Sequence, residues 1–190
     1  MAPLRIGSFP QISHGSPDTA VGGDQAWLKS PLSRRTCCGG ISLVNVLCSL
    51  TGLAGPMSRE EYLDLYRSCL PHVLSGYIPF AWLYALRLRR LLRARGVARR
   101  VSTLGSLSAS PARALEFIRQ SLSLGYPLAL QNWFGCTAPV RRFHWVTVIG
   151  LEGEDAQTAT LLVSSWGRVY RYPLSSCWRG KASLVTVKFT

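Results

Sequence analysis

A change of period near Tyr126 constrains this chain more than any other feature: apolar residues recur at helical spacing before it and at strand spacing after it. Helices gathered first and strands afterwards imply an α+β fold, with an N-terminal helical half packed on a C-terminal antiparallel sheet. The most apolar helical stretch holds Ile41, Val44, Val46, Leu47 and Leu50, begins near Cys38 and stops at Thr51-Gly52. It exceeds ordinary strand length and reads as a buried helix. Ser58 and Glu61 form a Ser-x-x-Glu capping box for a second helix, which Pro71 is expected to close. A third helix covers about 80–95 and ends at Gly96, and a fourth runs from Ser110-Pro111 to Gly125. Strands follow at 127–133, 143–151, 160–165, 168–174 and 183–189, with a hairpin tip at Glu152-Gly153-Glu154-Asp155 and a tight reversal at Trp166-Gly167. Residues 1–36 read as an irregular arm over a single domain at 37–190.

Composition narrows the function classes. With 47% hydrophobic and 16% charged residues among 190, the chain has material for a real core and too little charge for general disorder. The 22 basic residues against 9 acidic ones give a net charge of +13, which serves a solubilising surface or, as the alternative, attracts an acidic substrate or partner. Arg87, Arg89, Arg90, Arg93, Arg99 and Arg100 would serve a basic module for nucleic acid or anionic surfaces. That stretch lacks the interleaved aromatics and Gly-rich loop of an RNA reader, which weighs against nucleic acid. No phosphate-cradling glycine pattern occurs. The six cysteines, at 37, 38, 48, 69, 136 and 177, include no Cys-x-x-Cys pair, and His14, His72 and His144 are scattered, so neither a metal nor another cofactor is expected. No long apolar run or secretory leader is evident, so no membrane span, reduced thiols and a cytoplasmic location are the expectation. Nothing in the sequence indicates an oligomeric state.

Cys38 and His144 carry the chemistry. A cysteine in the first turn of a helix feels the positive end of the dipole, which favours thiolate. Gly39 and Gly40 are expected to leave the backbone open to a substrate carbonyl, with a backbone N–H near Cys38 helping to hold the oxyanion. His144 opens an apolar strand and needs a polar partner there, and a thiol is a partner it could activate. Cys37 points about 100° away from Cys38 on a helix, Cys48 reads as core, and Cys136 is a reserve nucleophile.

The run Cys38-Gly39-Gly40-Ile41-Ser42-Leu43-Val44-Asn45-Val46-Leu47 resembles the nucleophile helix of papain-like cysteine peptidases of the bacteriocin-leader-processing type. Phe143-His144-Trp145-Val146-Thr147-Val148-Ile149-Gly150 is similar to their histidine strand, and Val163-Ser164-Ser165-Trp166-Gly167 to the strand end where they carry Asp or Asn before Trp-Gly. The resemblance implies a papain-like fold and a cysteine peptidase, or a related thiol acyl-transfer enzyme, acting on a peptide or protein substrate. It places Cys38 as nucleophile, His144 as base and Ser165 at the orienting position, where a hydroxyl replaces the stronger acid or amide. The family's oxyanion glutamine stands shortly before the cysteine, at a place held here by Leu32; Gln25 and Asn132 are the remaining candidates for that polar support. The weakened third position leaves open a binding module of the same fold that has lost turnover.

Overall fold

The computed structural model describes residues 3–15, 19–73, 76–134 and 143–188. Before Cys38 the chain forms short elements: β1 (Leu4–Arg5), β2 (Gln11–Ser13), β3 (Thr19–Val21), a 3-10 turn (Gln25–Trp27) and α1 (Pro31–Thr36). The buried helix follows as α2 (Cys38–Thr51), every residue from 38 to 48 being buried, and Gly52 ends it at φ 73°, a left-handed conformation that glycine adopts without strain. After β4 (Pro56–Ser58), α3 (Arg59–Val73) starts on the expected capping box: the Ser58 N–H donates to Glu61 Oε2 at 2.6 Å and the Glu61 N–H to Ser58 Oγ at 3.2 Å. Pro71 does not close this helix, which continues to Val73. So near the end the ring forfeits a single backbone bond, and little helix remains beyond it to disrupt.

α4 (Ala81–Ala94), β5 (Arg100–Gly105) and α5 (Pro111–Ser123) come next, with Ser110 Oγ accepting from the Arg113 N–H at 3.2 Å as the N-cap of α5. The remainder is β6 (Leu128–Phe134), β7 (His144–Glu152), β8 (Thr160–Ser165), β9 (Arg168–Pro173), α6 (Leu174–Cys177) and β10 (Lys181–Lys188). The main sheet has the order β5-β10-β6-β7-β8-β9, each neighbouring pair antiparallel. Strand β1 extends it by pairing Leu4 with Leu151 and Arg5 with Gly150, beyond the point where β6 leaves β7. The fold is therefore α+β with a large antiparallel sheet.

Helices cover both faces of that sheet, where the sequence pointed to one helical layer. α2, α3 and α4 bury Val44, Leu47, Tyr62, Tyr84 and Leu88 against Trp145, Ala129 and Val185 on one face. On the other, α5 buries Leu115, Ile118 and Leu122 against Leu130, Val146, Val148 and Val163. Strand residues of alternate parity thus enter different cores, as the two-residue period requires. Strand β5 was missed because it is an edge strand of Arg, Ser and Thr in which only Val101 is fully buried. The Trp166-Gly167 reversal forms between β8 and β9 with φ of 48° and 68°, the doubly left-handed turn that matches the strands' twist.

Candidate active site

Three buried hydroxyls set the register of α2 against the sheet. Ser42 Oγ lies 3.0 Å from Tyr84 Oη and 3.1 Å from Thr147 Oγ1, tying α2 to α4 and to β7. One helical turn covers about 6 Å over four residues, and two strand residues about 6.7 Å. Stepping back one turn from Ser42 to Cys38 therefore corresponds to stepping back from Thr147 to Trp145, beside His144. The placement agrees: the Trp145 backbone N–H is near enough to the Cys38 sulfur to favour its thiolate.

Cys38, His144, Ser165 and Gln25 line one inner crevice. His144 Nε2 is 2.9 Å from Ser165 Oγ, both residues being 7% exposed. Trp166, the next residue, stacks on the imidazole with centroids 4.3 Å apart and planes within 9°. The left-handed φ at Trp166 is what folds the indole back over the ring. Ser165 thus holds the edge of the imidazole and Trp166 its face. The sequence places Trp166 in a tight reversal directly after Ser165 without assigning it to the imidazole, and that position was the available signal. Trp145 is core, stacked on Tyr84 at 4.2 Å, with its indole N–H donating to the Ile78 carbonyl at 2.7 Å.

Gln25 reaches the crevice because the arm is pinned. The Gly23 N–H donates to Asn45 Oδ1 at 3.0 Å, which also accepts from Tyr62 Oη at 2.8 Å, and Ser164 Oγ donates to the Val21 carbonyl at 2.7 Å. A side chain at Gly23 would lie 2.2 Å from the Tyr62 ring, so the close approach needs glycine. Gln25 Nε2 then donates to the Arg34 carbonyl at 2.7 Å. Helix α1 occupies the chain between Gln25 and Cys38, and the two residues meet at one crevice although they are far apart in sequence. Asn132 is paired with His144 across β6 and β7, and its carbonyl accepts the Phe143 N–H at 2.8 Å. Among the described residues it lines neither the crevice nor the cleft outside it.

Two expectations about Cys38 are corrected. Gly39 and Gly40 do not leave open backbone: a Cβ on Gly39 would lie 2.8 Å from Ile78 Cδ1, and one on Gly40 would lie 3.2 Å from the Tyr66 ring. These glycines let the Ile78 and Tyr66 side chains pack against the helix start. Nor does the dipole dominate the thiol. Burial pushes Cys38 up from its ordinary value, outweighing the Trp145 and Gly39 N–H groups that stabilise thiolate. Cys37 is turned away toward Tyr66, Cys48 is core, and Cys136 lies outside the described residues. The five described cysteines are free thiols.

Outside the crevice opens a cleft of about 650 Å³ reaching Gln25, Cys38 and His144, walled by Tyr77, Phe143, Trp166, Tyr170 and Tyr172 and edged by Arg34 and Arg35. Ser165 lines the crevice but not this cleft, which puts it behind the imidazole. Burial pushes Tyr77 up to about 12, so it is a neutral phenol. Among the described residues no group of three or more His, Cys, Asp or Glu could hold a metal ion, and no helix is long and apolar enough to cross a membrane. The basic set on and after α4 is broken up: Arg87 is buried and Arg89 Nη2 donates to the Val101 carbonyl at 3.1 Å. No family model and no curated protein matches the chain.

Proposed function

We propose that the protein is a papain-like cysteine peptidase, or a closely related thiol acyl-transfer enzyme, acting on a peptide amide bond in a reducing compartment such as the cytoplasm. The observation that carries this reading is the convergence of Cys38, His144, Ser165 and Gln25 from separate stretches of chain onto one crevice. The order of the elements supports it too: nucleophile helix, histidine strand, then the Ser-Trp-Gly reversal, as in the resemblance.

In this mechanism the Nε2–H of His144 donates to Ser165, and Nδ1 is the base for Cys38. Because burial holds the Cys38 thiol up, proton transfer to Nδ1 accompanies attack of the sulfur on the carbonyl carbon. The carbon–sulfur bond forms as the carbonyl π electrons move to oxygen. That oxyanion is held by the Cys38 backbone N–H and by Gln25 Nε2, one of whose two hydrogens is engaged by the Arg34 carbonyl. Collapse breaks the carbon–nitrogen bond, and His144 Nδ1–H protonates the leaving amine. Water, or an amine in acyl transfer, then attacks the thioester, giving its proton to Nδ1 while the sulfur leaves and recovers a proton.

A second reading, a binding module without turnover, draws on the uncharged Ser165 and the raised thiol. A mixed peptide library incubated with the protein and followed by mass spectrometry separates the two. The peptidase reading expects new termini that vanish in Cys38→Ala and His144→Ala; bound but uncut peptides would replace it with the second.

A further inference from the structure

We infer that the cleft selects a peptide bearing a carboxylate, held by Arg34 and Arg35; this deepens the peptidase reading and rests on it for the location of the bond attacked. Both arginines belong to the turn of α1 that runs into Cys38, and both line the cleft that contains Cys38 and His144. No aspartate or glutamate lines it among the described residues. Its other polar walls, Gln25, His144 and the tyrosines, offer no formal negative charge.

Among the described residues no carboxylate neutralises these cations. The chain's ion pairs among the described residues use Arg5, Arg67, Arg119 and Arg171, and none involves Arg34 or Arg35. This is notable in a chain with 9 acidic residues for 22 basic ones only because the unpaired charges stand at the mouth of the reactive crevice. Like charges in a cleft with aromatic walls focus an attractive field on an incoming anion.

The two arginines are not equivalent. Arg34 Nε donates to the Leu28 carbonyl at 2.6 Å, and its own carbonyl accepts from Gln25. That holds its guanidinium plane and leaves the two Nη groups as a fork suited to a carboxylate. Arg35 makes no such bond among the described residues and adapts to the ligand's position. The same carbonyl that positions Gln25 thus belongs to a residue that binds the substrate's anion, so the carboxylate lies on the oxyanion side of the cleft. The carboxylate could be an acidic side chain or a peptide C-terminus.

Binding is measured by fluorescence anisotropy on the Cys38→Ala protein, which cannot turn over. Three labelled peptides of one sequence are compared: C-amidated with a central Glu, C-amidated with Gln in its place, and the Gln peptide with a free C-terminus. At low salt the carboxylate peptide of the recognised kind binds about 3- to 10-fold more tightly than the neutral one, the range expected of partly exposed ion pairs to two arginines. The difference shrinks as salt rises, is reduced in Arg35→Gln, and is lost when Arg34→Gln is combined with it. Preference for the Glu peptide assigns the anion to a side chain, and preference for the free terminus assigns it to the peptide end. Equal binding of all three peptides overturns the inference, as does a preference that survives Arg35→Gln and Arg34→Gln in proteins with unchanged melting temperature. Failure of the wild type to cleave peptides would strike the peptidase reading and leave these binding outcomes untouched.

Discussion

Removing the hydroxyl at Ser165 tests the part of the site that departs furthest from the resemblance. Ser165→Ala deletes the partner 2.9 Å from His144 Nε2, in a place where both residues are buried and water cannot readily replace it. Trp166 still stacks on the ring, so the imidazole stays in place and the change is confined to its hydrogen bond. A hydrogen bond to a charged group contributes about 1.5–3 kcal/mol, and His144 becomes charged as it takes the Cys38 proton. At about 1.4 kcal/mol per tenfold, the variant should react about 10- to 150-fold more slowly at Cys38 near pH 7. The assay is iodoacetamide alkylation of the native protein, with the Cys38 peptide quantified by mass spectrometry against the other thiols and folding checked by thermal melting. Ser165→Asp, which supplies a carboxylate at the same point, should react faster than wild type. Wild-type Cys38 kinetics in Ser165→Ala, or an equal slowing of every thiol, would refute the claim that Ser165 acts through His144.

The other residues give distinct signatures. Gln25→Ala should lower acylation by an activated ester about 10²- to 10³-fold while leaving iodoacetamide alkylation near wild type, because only the ester develops an oxyanion; equal loss in both would place Gln25 outside the oxyanion site. Gly39→Ala should destabilise the fold by about 1–3 kcal/mol through the clash with Ile78, and Ile78→Val, which removes the nearest carbon, should restore part of the loss in thermal melts. Burial pushes Cys48 from 9.0 to about 12. Its folded value lies above the unfolded one, so its contribution is complete below pH 9 and is lost as pH rises toward 12, by up to about 1.4 kcal/mol per pH unit. Urea melts across that range should therefore be flatter in Cys48→Val.

Local signals were legible where one segment carries its own reason. The Ser58–Glu61 box, the Ser110-Pro111 start of α5 and the Gly52 stop of α2 each combine a side-chain or glycine preference with a helical period, and all appear in place. The Trp166-Gly167 reversal was equally visible, but not the stacking it imposes on His144, since that contact joins the ends of two strands. Gln25 enters the site through Gly23, Asn45 and the Arg34 carbonyl, a set of contacts that no spacing rule contains. The thiol of Cys38 shows the opposite failure. Its place at the helix start is local and was readable; the burial that outweighs the dipole is tertiary and was not. Gly39 and Gly40 looked open for the same reason, because Ile78 and Tyr66 arrive from elsewhere in the chain.

Acylation by p-nitrophenyl acetate, resolved by peptide mass spectrometry in the wild type and in His144→Ala, addresses the Cys38–His144 pair most directly. The pair predicts one rapid acetyl adduct, on Cys38, whose formation is slowed at least tenfold without the imidazole. Adducts spread over the thiols, or a Cys38 rate indifferent to His144, would contradict it.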